Sequence, residues 1–114
     1  MHVVRFADAP HYTLPDHEQV TARRLQGLEA GPTEFAVVGH SVFPPGSVVP
    51  MGEGPIGKIY VVSEGVLTIE QADSGRHSLG VGDSIFIAAG EARAVLNLGD
   101  VPAAMLVITP PPAH

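Results

Sequence analysis

Residues 46–65, "GSVVPMGEGPIGKIYVVSEG", decide how the rest of the chain is read. The stretch opens on a glycine that follows Pro44-Pro45, a strong turn signal, and its middle, "MGEGPIG", is too rich in glycine to continue a strand. It then runs into "KIYVVSEG", a β-branched and aromatic segment closed by a second glycine turn. Turn, loop, strand and turn in such quick succession predict a small antiparallel β fold.

Working outward, the same alternation continues. Upstream lies "EFAVVGHSVF"; downstream come "VLTIEQ", the turn "ADSG", "RHSLGVGD", "SIFIAAG", "ARAVLNLGD" and "PAAMLVITP". Turn signals recur about every 8 to 12 residues, the spacing of an all-β sandwich or barrel. A chain of 114 residues with 45% hydrophobic content supports one core. Residues 1–30, with Pro10, Pro15, His2, His11 and His17, read as an extended N-terminal arm, in which "VTARRLQG" fits either a short strand or a helical turn. Residues 31–114 carry the β domain and end in the stiff tail Pro110-Pro111-Pro112 with His114 behind it.

Charge and composition exclude several roles. The net charge is −6 and no basic run exceeds Arg23-Arg24, so the footprint of a nucleic-acid partner is missing. The absence of cysteine removes disulfides, thiolate chemistry and cysteine-based zinc sites. No apolar run approaches the ~18 residues of a membrane span, and the first residues lack a targeting pattern, so a cytoplasmic protein without a membrane partner is expected. Lys58 is the only lysine in the chain and calls for its own explanation.

The spacing of the glycines resembles the cupin superfamily, small β-barrels of the jelly-roll type. Its first motif, G-x5-H-x-H-x3,4-E-x6-G, falls with its outer glycines on Gly46 and Gly65; its second, G-x5-P-x-G-x2-H-x3-N, falls on Gly82, Gly90 and Asn97, with Ala88 in place of proline. The resemblance covers roughly residues 35 to 108 and implies a single-domain cupin barrel that pairs as a homodimer. The departures fall on the chemistry. Gly52, Gly54, Lys58 and Arg93 stand where the family keeps its metal ligands. A charged ammonium or guanidinium has no lone pair to offer a cation, so neither metal nor other cofactor is expected. A metal held by His40 with histidines of the arm lacks any motif spacing.

The resemblance brings Lys58 and Arg93 into one pocket. Two cations there call for an anion. One reading supplies Glu53 or Glu91 as a structural ion-pair partner. The other supplies a small anionic or carbonyl-bearing molecule, with Arg93 holding an oxyanion and Lys58, its pKa lowered by burial and by Arg93, acting as general base or Schiff-base nucleophile. A lyase or isomerase follows from the second reading, and a non-catalytic binding module is its alternative. His40 is a candidate second acid or base if its face of the strand points inward, which parity alone leaves open. Tyr60, two residues after Lys58, shares its face and is either a pocket hydroxyl or a core aromatic. Gly52, Glu53 and Gly54 form a rim that admits substrate or a plain surface turn, and Asn97, in phase with Arg93, belongs to the site or to the frame. His77, beside the "ADSG" turn, is expected at the surface.

Overall fold

A computed structural model describes residues 1–112; His114 of the expected tail lies outside them. Ten strands run in chain order: β1 (His11–Tyr12), β2 (Thr21–Gln26), β3 (Val37–Phe43), β4 (Val48–Gly52), β5 (Lys58–Glu64), β6 (Leu67–Gln71), β7 (Arg76–Leu79), β8 (Ser84–Ile87), β9 (Arg93–Leu96) and β10 (Ala103–Thr109). Two short 3-10 turns, Phe6–Asp8 and Leu28–Ala30, are the only helical elements among the described residues. The all-β expectation holds.

The strands form two antiparallel sheets, one in the order β1-β2-β3-β10-β5-β8 and one in the order β4-β9-β6-β7. Alternate residues of each face the space between them. Phe43, Val62 and Met105 from the larger sheet meet Val49, Leu67, Ile69 and Val95 from the smaller, all but inaccessible to solvent. Burying a side chain of this size contributes about 1.5–3 kcal/mol, so this layer is the main source of stability.

Two expectations need correction. The sheets are not closed into a barrel: no hydrogen-bonded ladder joins them, and the chain crosses between them at tight turns. At the β3–β4 crossing, Pro44 and Pro45 have no N–H to donate, so a ladder cannot continue through them. The chain crosses again between β7 and β8, where the Gly80 and Asp83 N–H groups bond the Asp83 carboxylate and the Gly80 carbonyl at 2.9 and 3.0 Å. Nor is the segment expected to be an arm wholly extended. Residues 21–26 are β2, paired with β3 from Thr21 opposite Val42 to Gln26 opposite Val38, and β1 adds to its outer edge. Ala22 is buried, and the alternation that buries it also turns Arg24 inward.

Candidate functional site

A cavity of about 250 Å³ opens between the sheets. Lys58 begins β5 and Tyr60 follows on the same face, both lining the cavity; Arg93, the first residue of β9, enters from the opposite sheet. A bulge aims it. Val49 stands opposite Val95, but Gly52 stands opposite Arg93, so β4 spends one residue more than β9 in reaching the rim. Arg93 Nε donates to the Tyr60 hydroxyl at 2.8 Å and Nη1 to the Gly52 carbonyl at 3.3 Å. A Cβ at Gly54 would sit 3.3 Å from Lys58 Nζ, and one at Gly52 would sit 4.0 Å from Arg93 Nη1. The four motif positions therefore converge, and Gly54 leaves the room that the Lys58 amine occupies.

The electrostatics follow from this packing. Burial, with the Arg93 charge adding to it, holds the Lys58 amine below the ordinary lysine range. Burial pushes the Tyr60 phenol up; the Arg93 charge and hydrogen bond pull it partly back, and Tyr12 adds a further upward push. Tyr60 is thus protonated at neutral pH. Because its oxygen accepts from Arg93, its proton is free for another acceptor, and the cavity is where such an acceptor fits.

Among the described residues, no carboxylate pairs with either cation. The ion pairs among the described residues are Arg24 with Glu29 at 3.0 Å and Arg76 with Glu70 at 2.7 Å. Glu53 is exposed, and Glu91 is engaged in accepting the Ala88 N–H at 3.0 Å. A metal centre does not fit this set either. Glycine has no side-chain donor, a guanidinium has no free lone pair, and no group of three or more His, Cys, Asp or Glu comes together among the described residues.

Two further candidates are relocated. In β3 the buried residues are Val37, Gly39, Ser41 and Phe43, which puts His40 on the outer face of the sheet, away from Lys58. There the Phe6 ring meets it edge-on at 5.1 Å, and its buried Nδ1 has no hydrogen-bond partner among the described residues. Burial lowers its pKa, with Glu64 opposing and Arg23 reinforcing the shift. Its place in the sheet removes it from the list of acids and bases. Asn97 belongs to the frame: its amide donates to the Phe43 and Val101 carbonyls at 2.9 Å each, and its oxygen accepts the Gly99 N–H at 3.0 Å. Both of its amide hydrogens are committed to the frame, and it does not line the cavity.

The cavity also holds residues that the sequence reading missed. Tyr12, Arg24 and His17 come from the first 30 residues, and Ser41 comes from the inner face of β3. Arg24 was legible in principle, because alternation from the apolar Ala22 turns it inward. Tyr12 was not, since β1 has only two residues and no alternation to read. Three other histidines bond locally: His2 Nε2 pairs with the Ala30 carbonyl at 2.8 Å, His17 Nδ1 with the Pro15 carbonyl at 2.7 Å, and the exposed His77 Nε2 with the Gln71 side-chain oxygen at 2.8 Å.

Facing antiparallel sheets with a cavity between them, and the motif glycines at its turns, define a small cupin. A family model for the cupin domain matches residues 39–109, and the chain belongs to that family. It is 39% identical over 107 residues to a Mycobacterium tuberculosis protein named Beta-D-galactosidase Rv1717, covering 94% of this chain and 91% of the relative. Among solved structures it is similar to the polyketide cyclase RemF from Streptomyces resistomycificus, with TM-score 0.83 and 23% identity over 96% of this chain and 79% of that one. It is also similar to a cupin sugar phosphate isomerase from Silicibacter pomeroyi, with TM-score 0.78 and 20% identity over 96% of this chain and 75% of that one. These structural likenesses establish the fold. No helix among the described residues is long and apolar enough to cross a membrane.

Proposed function

We propose that the protein is a metal-independent enzyme of the lyase or isomerase kind, acting on a small molecule that carries a carbonyl or carboxylate group. The observation that supports this reading is the meeting of Lys58, Tyr60 and Arg93 at one cavity, with no carboxylate of the described residues paired to them. Lys58, as the free amine, removes a proton from the carbon next to the carbonyl. The C–H electron pair forms a new C–C double bond, and the carbonyl pair moves onto oxygen, where the Tyr60 hydroxyl and the Arg93 guanidinium receive the enolate. Return of the proton to another carbon gives an isomer; departure of a β-substituent gives a lyase product.

Deuterium exchange tests this directly. A panel of short 2-oxo and β-keto acids, incubated with the protein in D2O and followed by proton NMR, is expected to exchange at the α-carbon with at least one member. Lys58→Met is expected to remove the exchange and leave the circular dichroism spectrum unchanged. Exchange undiminished in that variant contradicts the assignment. A borohydride-trapped adduct would mark Schiff-base chemistry at the same lysine, and saturable binding without exchange would favour a binding module.

The name of the M. tuberculosis relative favours a second reading, action on a β-D-galactoside. The usual hydrolytic chemistry needs two carboxyl groups about 5 to 10 Å apart across the bond, and no Asp or Glu is among the residues lining this cavity. Release of nitrophenol from a nitrophenyl β-D-galactoside decides between the two readings. Turnover that survives Lys58→Met would favour the galactoside.

A further inference from the structure

One row of residues crosses four strands of the larger sheet in register. Arg24 on β2 stands opposite Gly39 on β3, Gly39 opposite Val107 on β10, and Val107 opposite Tyr60 on β5. Arg24, Val107 and Tyr60 line the cavity, and Gly39 is buried on the same face. The row has a polar group at each end and only glycine and valine between. Adjacent strands lie about 4.8 Å apart, so the backbones at its ends are separated by roughly 14 Å before the two side chains reach inward.

The Arg24 end is built. Gly39 leaves a gap that the Tyr12 hydroxyl fills, and a Cβ there would collide with it. The Tyr12 ring in turn carries the Arg24 guanidinium, whose central carbon lies 3.6 Å from the ring centroid. Glu29 holds the outer side through Arg24 Nε at 3.0 Å, with the arginine side chain 14% exposed and the glutamate 45%. The Arg24 Nη groups make no hydrogen bond to another described residue. Arg24 thus lines the cavity with guanidinium donors that no described residue takes up and that a ligand oxygen can reach in place of water.

We propose that the cavity takes an elongated ligand with an oxyanion or carbonyl at each end and an apolar body between, one end at Lys58, Tyr60 and Arg93 and the other at Arg24. The space over Val107, walled by Val37, Val95 and Met105 and edged by the Tyr12 hydroxyl that covers Gly39, suits a ring or a short hydrocarbon segment. This deepens the function proposed above and rests on its reading of the Lys58 and Arg93 end as an anion site.

The test is calorimetric titration of the whole chain with benzoate, terephthalate and phthalate. Terephthalate, with carboxylates on opposite sides of its ring, is expected to bind about tenfold more tightly than either of the others, the gain of one charge-assisted hydrogen-bonded contact. In Arg24→Met, which keeps the stem over Tyr12, terephthalate should fall to the level of benzoate while benzoate is unchanged; Arg24→Lys should keep part of the preference. Equal binding of terephthalate and benzoate by the unmodified protein overturns the inference and leaves the Arg93 end standing. So does an equal loss of both ligands in Arg24→Met, which would make Arg24 a purely shaping residue. If none of the three binds, the anion-site reading of the cavity fails as well.

Discussion

At the scale of the residue, the role proposed for Lys58 is supported by two effects that push its amine the same way. Burial is the larger and the Arg93 charge is the second. The acid limb of a pH–rate profile for exchange should therefore lie below the ordinary lysine pKa of ~10.4. Arg93→Gln removes a positive charge, so the Lys58 pKa should rise and the limb should move to higher pH. A limb that stays in place in that variant would show that Arg93 does not act through Lys58. Tyr60→Phe is expected to lower the rate by roughly 100-fold or more, the usual scale for one oxyanion-hole donor, with little change in KM. Phe substitution without effect on the rate would make Tyr60 a core aromatic. Much of this was legible in the sequence: motif spacing placed Lys58 and Arg93 together, and a period of two put Tyr60 beside Lys58. The hydrogen bond between Arg93 and Tyr60 was not, because it joins residues of different sheets.

At the scale of the element, β3 shows where sequence parity stops. Its sequence is "VVGHSVF", and both faces carry apolar residues, so nothing in it says that His40 faces outward. The neighbouring strands decide. His40 sits opposite Arg23 and beneath Phe6, and its pKa is lowered by burial first. A folded pKa below the unfolded value of ~6.5 means that the unfolded chain binds the proton more readily. This contribution to stability is whole above pH 6.5 and is lost as pH falls from there through the folded pKa. His40→Gln should flatten that part of a denaturation-midpoint profile; an unchanged slope would contradict the account. Turns were easier to read. Gly65 closes the first motif with φ +67°, and a Cβ there would lie 2.8 Å from the Pro102 carbonyl oxygen. Gly65→Ala should cost about 1–3 kcal/mol in urea denaturation, against a surface control near zero. Asn97→Ala leaves two backbone carbonyls without their donor and should cost about 2–4 kcal/mol in the same measurement while sparing ligand affinity.

At the scale of the whole molecule, the fold was legible because turn residues at regular spacing limit a short chain to facing antiparallel sheets. The contribution of the first 30 residues was not, because histidines and prolines without periodicity hide two strands that complete the cavity wall. The central proposal is that Lys58 and Arg93, at positions where cupins keep metal ligands, act together as a cationic pair at the cavity, with Gly54 leaving room beside the Lys58 amine. Carbon-13 reductive methylation tests this claim most directly, since it marks only Lys58 and the terminal amine of this chain. NMR signals of the two groups, followed through a pH titration, report each pKa separately. The account predicts a Lys58 value clearly below ~10.4 that rises in Arg93→Gln. A Lys58 value at or above that reference, unchanged by the substitution, would contradict it.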